Sequence, residues 1–212
     1  MLRDEAVDII ADRLGNRTDL DTRIIAEMQL SQTMLEQTWG ATDMPWFLLK
    51  ELGEQASTST VAGQERLEVP SDFLREPEGG ALWVQDTDGT WSGLCKHDID
   101  FLRKHESATG LPRGYALVGK YFRFYPTPDA AYSVRMLYYA SDTVLSSNVT
   151  NSWLTYAPEL LIASTGARIA YYIQDQQVAQ LFLAQREIAF RAVISASIAR
   201  DSANRQEFMG VE

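Results

Sequence analysis

The sequence predicts an α+β fold: a bundle of N- and C-terminal helices with a mostly antiparallel β insertion. Three observations predict it. Apolar residues recur at helical spacing at both ends of the chain. The middle holds short apolar runs joined in pairs by glycine-containing turns, with one clear period-two alternation. Helices and strands are segregated along the chain and do not alternate, which argues against a parallel α/β sheet.

In the first helix, Leu2, Ala6, Ile9, Ile10 and Leu14 share one stripe, and Gly15-Asn16 closes it as a C-cap. Thr18 reads as the N-cap of a second helix, with Asp19 and Asp21 complementing its dipole. That helix runs to about Trp39. Leu20, Ile24, Met28, Leu35 and Trp39 form a stripe interrupted at Ser31, and Ile25, Leu30 and Met34 widen it. So wide an apolar arc is expected to pack against more than one neighbour. Gly40 ends the helix, and Pro45 to Leu49 forms an apolar anchor at the entry to the β region.

Three hairpins follow. Thr58–Ala62 and Glu65–Val69 flank Gly63-Gln64; Ala81–Gln85 and Thr90–Leu94 flank Asp86-Thr87-Asp88-Gly89; Gly114–Val118 and Tyr121–Tyr125 flank Gly119-Lys120. Asp-Gly accepts the positive φ angles of tight hairpins, so the second is the firmest of the three. A short helix is expected over Lys96–Glu106. Tyr132, Val134, Met136 and Tyr138 alternate with Ser133, Arg135, Leu137 and Tyr139 as a half-buried strand. Ser141–Ser152 reads as an exposed polar loop. Pro158 suits a helix's first turn, and Glu159–Ile173 is apolar nearly all round, the mark of a central, buried helix. The last helix spans about Gln176–Ala203, with Val178, Leu181, Phe182, Ile188, Ala189 and Ala192 expected on its inner side. The expected organisation is a helical bundle of residues 1–50 and 153–203, a β-rich insertion of residues 51–152 with one short helix, and a flexible tail of residues 204–212.

The 212 residues are 45% hydrophobic and 23% charged, enough apolar material for a core that needs no metal or disulfide. A net charge of −10 without any basic run argues against tight nucleic-acid binding, which requires clustered Lys and Arg. Cys95 is the only cysteine, so no internal disulfide forms and a reducing compartment is expected. The charged, helical start, Met1 to Asp12, is unlike a signal peptide, and no apolar run reaches membrane-spanning length.

Motifs for chemistry are sparse. No phosphate-cradling glycine motif is present. Cys95, His97 and His105 lack the paired spacing of zinc ligands. Asp86-Thr87-Asp88-Gly89 starts like a calcium loop, but the continuation Thr90-Trp91-Ser92-Gly93-Leu94 lacks the later ligands, and a hairpin turn explains it. No serine sits in a nucleophile elbow. No catalytic residue, cofactor or metal is therefore assigned. The aromatic run Tyr115, Tyr121, Phe122, Phe124, Tyr125, Tyr138 and Tyr139 fits the filling of a small sheet better than a glycan platform.

Over Thr18 to Ala203 the order of these pieces resembles the head-to-tail adaptor (connector) family of tailed bacteriophages, including podophage adaptors of the tail tubular protein A type. The carriers are Pro45-Trp46-Phe47-Leu48-Leu49; Leu67-Glu68-Val69-Pro70-Ser71-Asp72-Phe73-Leu74-Arg75; Gly110-Leu111-Pro112-Arg113-Gly114-Tyr115-Ala116; Phe124-Tyr125-Pro126-Thr127-Pro128-Asp129; Leu137-Tyr138-Tyr139-Ala140; and Trp153 ahead of two long helices. The resemblance implies a structural virion protein without catalytic residues. It implies a homo-oligomeric ring, a dodecamer, in the neck between head and tail, assembled in the host cytoplasm. Its partners would be the portal protein and a tail tube or nozzle protein, with DNA sliding through the channel unbound and no membrane involved. In such adaptors the C-terminal region orders on contact with the portal, which points to Phe208 and Met209 in the polar tail. The alternatives are another tail-completion or neck protein, or a ligand- or glycan-binding module.

Overall fold

In the computed structural model, residues 1–38, 44–52, 59–78, 80, 82–104, 108–147 and 149–209 are described, with side chains through residue 200. Helix α1 (Arg3–Arg13) and a 3-10 turn at Thr18–Leu20 lead into α2 (Asp21–Thr38). A second 3-10 turn, Trp46–Leu48, enters β1 (Leu49–Leu52). Strands β2 (Arg66–Glu68), β3 (Phe73–Arg75), β4 (Leu82–Gln85), β5 (Trp91–Gly93) and β6 (Cys95–Lys96) precede the short helix α3 (Ile99–Arg103). Then come β7 (Gly114–Val118), β8 (Tyr121–Tyr125), β9 (Val134–Ala140), α4 (Ser152–Tyr156), α5 (Pro158–Tyr172) and α6 (Gln176–Met209). The fold is α+β, with helices at both ends and a strand-rich middle. The chain divides into two compact units, Met1–Leu48 with Ser141–Glu212, and Leu49–Ala140.

The first unit is helical and is organised around α5, which packs against α1, α2, α4 and α6. Its all-round apolar sequence explains this position, because a helix without a polar face is stable only when enclosed. Leu160, Leu161, Ile162, Ala163, Ile169 and Ala170 are each fully buried. Pro158 stands in the first turn, as expected. Gly166 lets α6 come close: a Cβ there would lie 2.4 Å from the Phe182 ring. The left-handed Gly15 (φ 86°) and Asn16 (φ 61°) terminate α1. Thr18 does not cap α2 directly. It opens the 3-10 turn, and α2 begins at Asp21.

The segment expected to be an exposed loop is partly interior. Leu145 is 2% and Asn151 6% exposed. The Asn151 side-chain oxygen caps α4 by accepting from Leu154 N (3.0 Å), and its amide donates to Gln32 Oε1 (3.1 Å). Buried Glu36 of α2 accepts from the Trp153 indole N–H (3.0 Å), Gln32 Nε2 (3.0 Å) and Asp142 N (3.2 Å). Asp142 in turn accepts from Ser152 N (2.6 Å). The segment is irregular up to α4, as expected, but polar residues satisfied by one another at its two ends leave no hydrophobic period in the sequence to mark their burial.

The second unit holds two sheets among its described residues. In the five-stranded sheet β9 is central: β1 lies along one edge, β3 and β4 share the other, and β5 pairs beyond β4, all antiparallel. The four-stranded sheet runs β2-β8-β7-β6, with β6 parallel to β7. The hairpins β4–β5 and β7–β8 form as the turn chemistry predicts, with Trp83 opposite Gly93 and Tyr115 opposite Phe124. The turn at Gly63 also forms, with Gln64 N donating to Val61 O (2.9 Å), but its arms part. β2 pairs with β8, and Thr60 N donates to Tyr132 O (2.9 Å). Lys96 is strand and not helix, so α3 is shorter than expected; His105 and Glu106 lie outside the described residues. Inward residues of both sheets, including Leu82, Tyr115, Phe122, Phe124, Met136 and Tyr138, make one core.

Candidate assembly surfaces

Helix α6 is apolar on two opposite sides. At about 100° per residue, Ala179, Phe182, Val193 and Ser197 fall on the side that packs inward, and all four are buried. Leu181, Ala184, Ile188 and Ser195 fall on the other side. Leu181 is 62% and Ile188 71% exposed. The sequence groups Leu181 and Ile188 on one side with Phe182; the structure divides that set. The signal was present as a second 3-and-4 spacing half a turn away.

Helix α2 has a comparable outer face. Its two glutamates beyond the first turn, Glu27 and Glu36, point inward. Past Arg23 the exposed residues are Ala26, Leu30, Thr33, Met34, Gln37 and Thr38, so no charge faces outward. The broad arc expected of this helix is thus real, and its outer part is uncovered among the described residues.

Between these helices lies a groove lined by Ser31 and Met34 of α2, Ala167 and Tyr171 of α5, and Leu183 and Arg186 of α6. Ser31 is buried and its Oγ has no hydrogen-bond partner among the described residues. At the rim, Arg168 Nε donates to Glu27 Oε2 (2.7 Å), and Glu27 also pairs with Arg23 (2.8 Å). Arg186 has no ion-pair partner among the described residues.

The anchor before β1 packs within the helical unit. Phe47 meets Trp153 edge-on with ring centroids 5.2 Å apart and stacks on Tyr156 at 5.6 Å. Trp46 N donates to Ser197 Oγ (3.3 Å), and the Arg200 guanidinium lies 3.5 Å above the Trp46 ring. The cation–π contact of Arg200 and the hydrogen bond to Ser197 tie the far half of α6 to this anchor. The α6 backbone stays helical to Met209, past the expected end at Ala203. Phe208 and Met209 occupy its last turn, and their side chains lie outside the described ones.

The residues considered for chemistry have structural roles. The His97 ring stacks on Phe101 (4.2 Å) and lies against Gly114, where a Cβ would come within 2.5 Å of it. Cys95 is exposed. Asp86 and Asp88 accept from the turn's own backbone, at Thr87 N (2.6 Å) and Thr90 N (2.8 Å). The bonds from Thr90 hold the Asp88 carboxyl below the usual aspartate range. Tyr115, Phe122, Phe124 and Tyr138 are buried in the sheet core, and Tyr139 is buried on the other face of β9. In the same unit burial opposes ionisation of Asp72, but bonds from Lys50 (2.9 Å) and Tyr138 (3.1 Å) outweigh it and hold its carboxyl low. Burial, then the Asp72 bond, pushes the Tyr138 hydroxyl up to about 12.

What the helical unit presents is an exposed apolar stripe on α6 and a groove beside α2. Residues 2–207 match the family model described as SU10 adaptor protein. The chain belongs to that family of phage adaptors and is a bacteriophage structural protein, a virion component that associates with other virion parts. No curated protein matches it significantly. Among the described residues no helix is long and apolar enough to cross a membrane.

Proposed function

We propose that this protein is the head-to-tail adaptor of its virus, a non-enzymatic subunit that forms a ring below the portal and continues the DNA channel to the tail. The observation that carries this reading is the family match, which runs through both units and is not confined to one. Two physical features support it. Rings arise from heterologous interfaces that close, and these need two different faces on one subunit; the convex outer stripe of α6 and the groove beside α2 are two such faces, uncovered among the described residues. A net charge of −10 suits a channel wall that repels phosphate and lets the duplex slide. On this reading the ring is a dodecamer assembled in the host cytoplasm, and its partners are the portal and a tail tube or nozzle protein.

The test is co-sedimentation with the portal ring encoded by the same virus, followed by electron microscopy. A second ring stacked on the portal is expected; absence of binding across a range of salt would remove the proposal. Phe208 and Met209 are assigned to the portal contact as an apolar pair at the end of α6. Removing residues 204–212 should abolish co-sedimentation while the helical circular dichroism signal falls only slightly. Undiminished binding would remove the assignment.

A further inference from the structure

The helical unit carries a ridge and a groove of matching chemistry on different sides, and we infer that the ridge of one copy seats in the groove of the next. The ridge is the outer stripe of α6, with Leu181 and Ile188 as knobs and the small Ala184 and Ser195 between and beyond them. Seven-residue spacing of branched aliphatics with small residues interposed lets a second helical surface approach closely. The groove lies between α2, α5 and α6, floored by Met34, Ala167 and Leu183, edged by Arg168, whose guanidinium meets Met34 Sδ (3.2 Å), and continued by Leu30 of α2.

Arg186 favours this pairing over a contact between two α6 stripes, in which Glu187 and Arg191 of the two copies could also pair but Arg186 would gain no partner. Glu187 flanks Ile188 on the ridge, and the groove offers Arg186, which has no ion-pair partner among the described residues. The exposed i,i+4 bridge that Glu187 makes with Arg191 (2.8 Å) is of the weakly stabilising kind, so exchanging it costs little. Pairing of two α6 stripes would leave the groove and Arg186 as they stand. Because ridge and groove face different ways, the contact joins unlike surfaces and repeats from copy to copy, as a closed ring requires. The inference rests on the ring-forming adaptor reading and specifies its lateral contact.

Cross-linking tests it. In a Cys95→Ser background, Ile188→Cys and Met34→Cys are introduced singly and together. The chains are mildly oxidised free at high concentration and on the portal ring. The double variant should give a ladder of dimers, trimers and larger species, and a mixture of the two single variants should stop at dimers. Ile188→Cys alone cross-linking as well as the pair would overturn the inference in favour of paired α6 stripes. Rings visible by microscopy without a ladder would overturn it and leave the adaptor reading intact. No rings, free or on the portal, would remove both. As a second variant, Leu181→Glu with Ile188→Glu changes only exposed positions, so the subunit should stay folded while assembly weakens about tenfold or more; unchanged assembly overturns the inference.

Discussion

Gly166 has no side chain because the Phe182 ring occupies the place where one would be. Alanine ordinarily favours a helix over glycine by about 1 kcal/mol. Here the added methyl overpacks a buried aromatic contact, and Gly166→Ala should destabilise the protein by about 1–3 kcal/mol, read from urea unfolding. Phe182→Leu in the same chain should recover part of the loss. Asp72 has a definite pH signature. Its folded pKa lies below the unfolded value, so its ionised form stabilises the fold above about pH 4, and that contribution is lost as the pH falls through the folded pKa. Wild type should exceed Asp72→Asn in urea midpoint at pH 7, with the gap closing in acid. Tyr138 works in the opposite direction: its raised pKa makes its contribution full below about pH 10 and lost on going up through about 12. A constant gap for Asp72→Asn at every pH would remove this account of the Asp72 carboxyl.

At the scale of elements, Glu36 joins α2 to the segment leading into α4. Among the described residues it alone satisfies the Trp153 indole N–H and the Asp142 backbone N–H. An unsatisfied buried donor costs about 1–3 kcal/mol, so Glu36→Ala should cost about 2–4 kcal/mol. Glu36→Gln, which keeps an acceptor oxygen, should cost clearly less, and equal losses would mean that the two donors find other partners. Helix α6 illustrates a different dependence on length. Its 34 residues span about 51 Å, against about 22 Å for the 15 residues of α5, so its far half needs another support. The Trp46 anchor with Ser197 and Arg200 provides one.

For the whole molecule, charge and assembly are linked. On the proposed channel reading, a subunit carrying −10 should not hold the duplex. No mobility shift of duplex DNA is expected at physiological salt, and saturable binding that weakens steeply as salt rises would contradict the channel reading.

Local physics determined much of this protein from sequence alone. Spacing along α1, α2 and α5 marked helices, Asp-Gly and Gly-Lys marked the β4–β5 and β7–β8 turns, and alternation marked β9, because each signal lies within a few residues. The scarcity of motifs and the order of elements pointed to an assembly protein. Tertiary structure decided the rest. The partner of β2 is a strand more than fifty residues away and not its neighbour across Gly63, since pairing follows which apolar face must be buried. Glu36, Asn151 and Asp142 became interior because each found partners distant in sequence. Leu181 and Phe182 are adjacent in sequence, yet one faces outward and the other the core. Which side of a doubly apolar helix is buried depends on where α5 lies, and that is a property of packing.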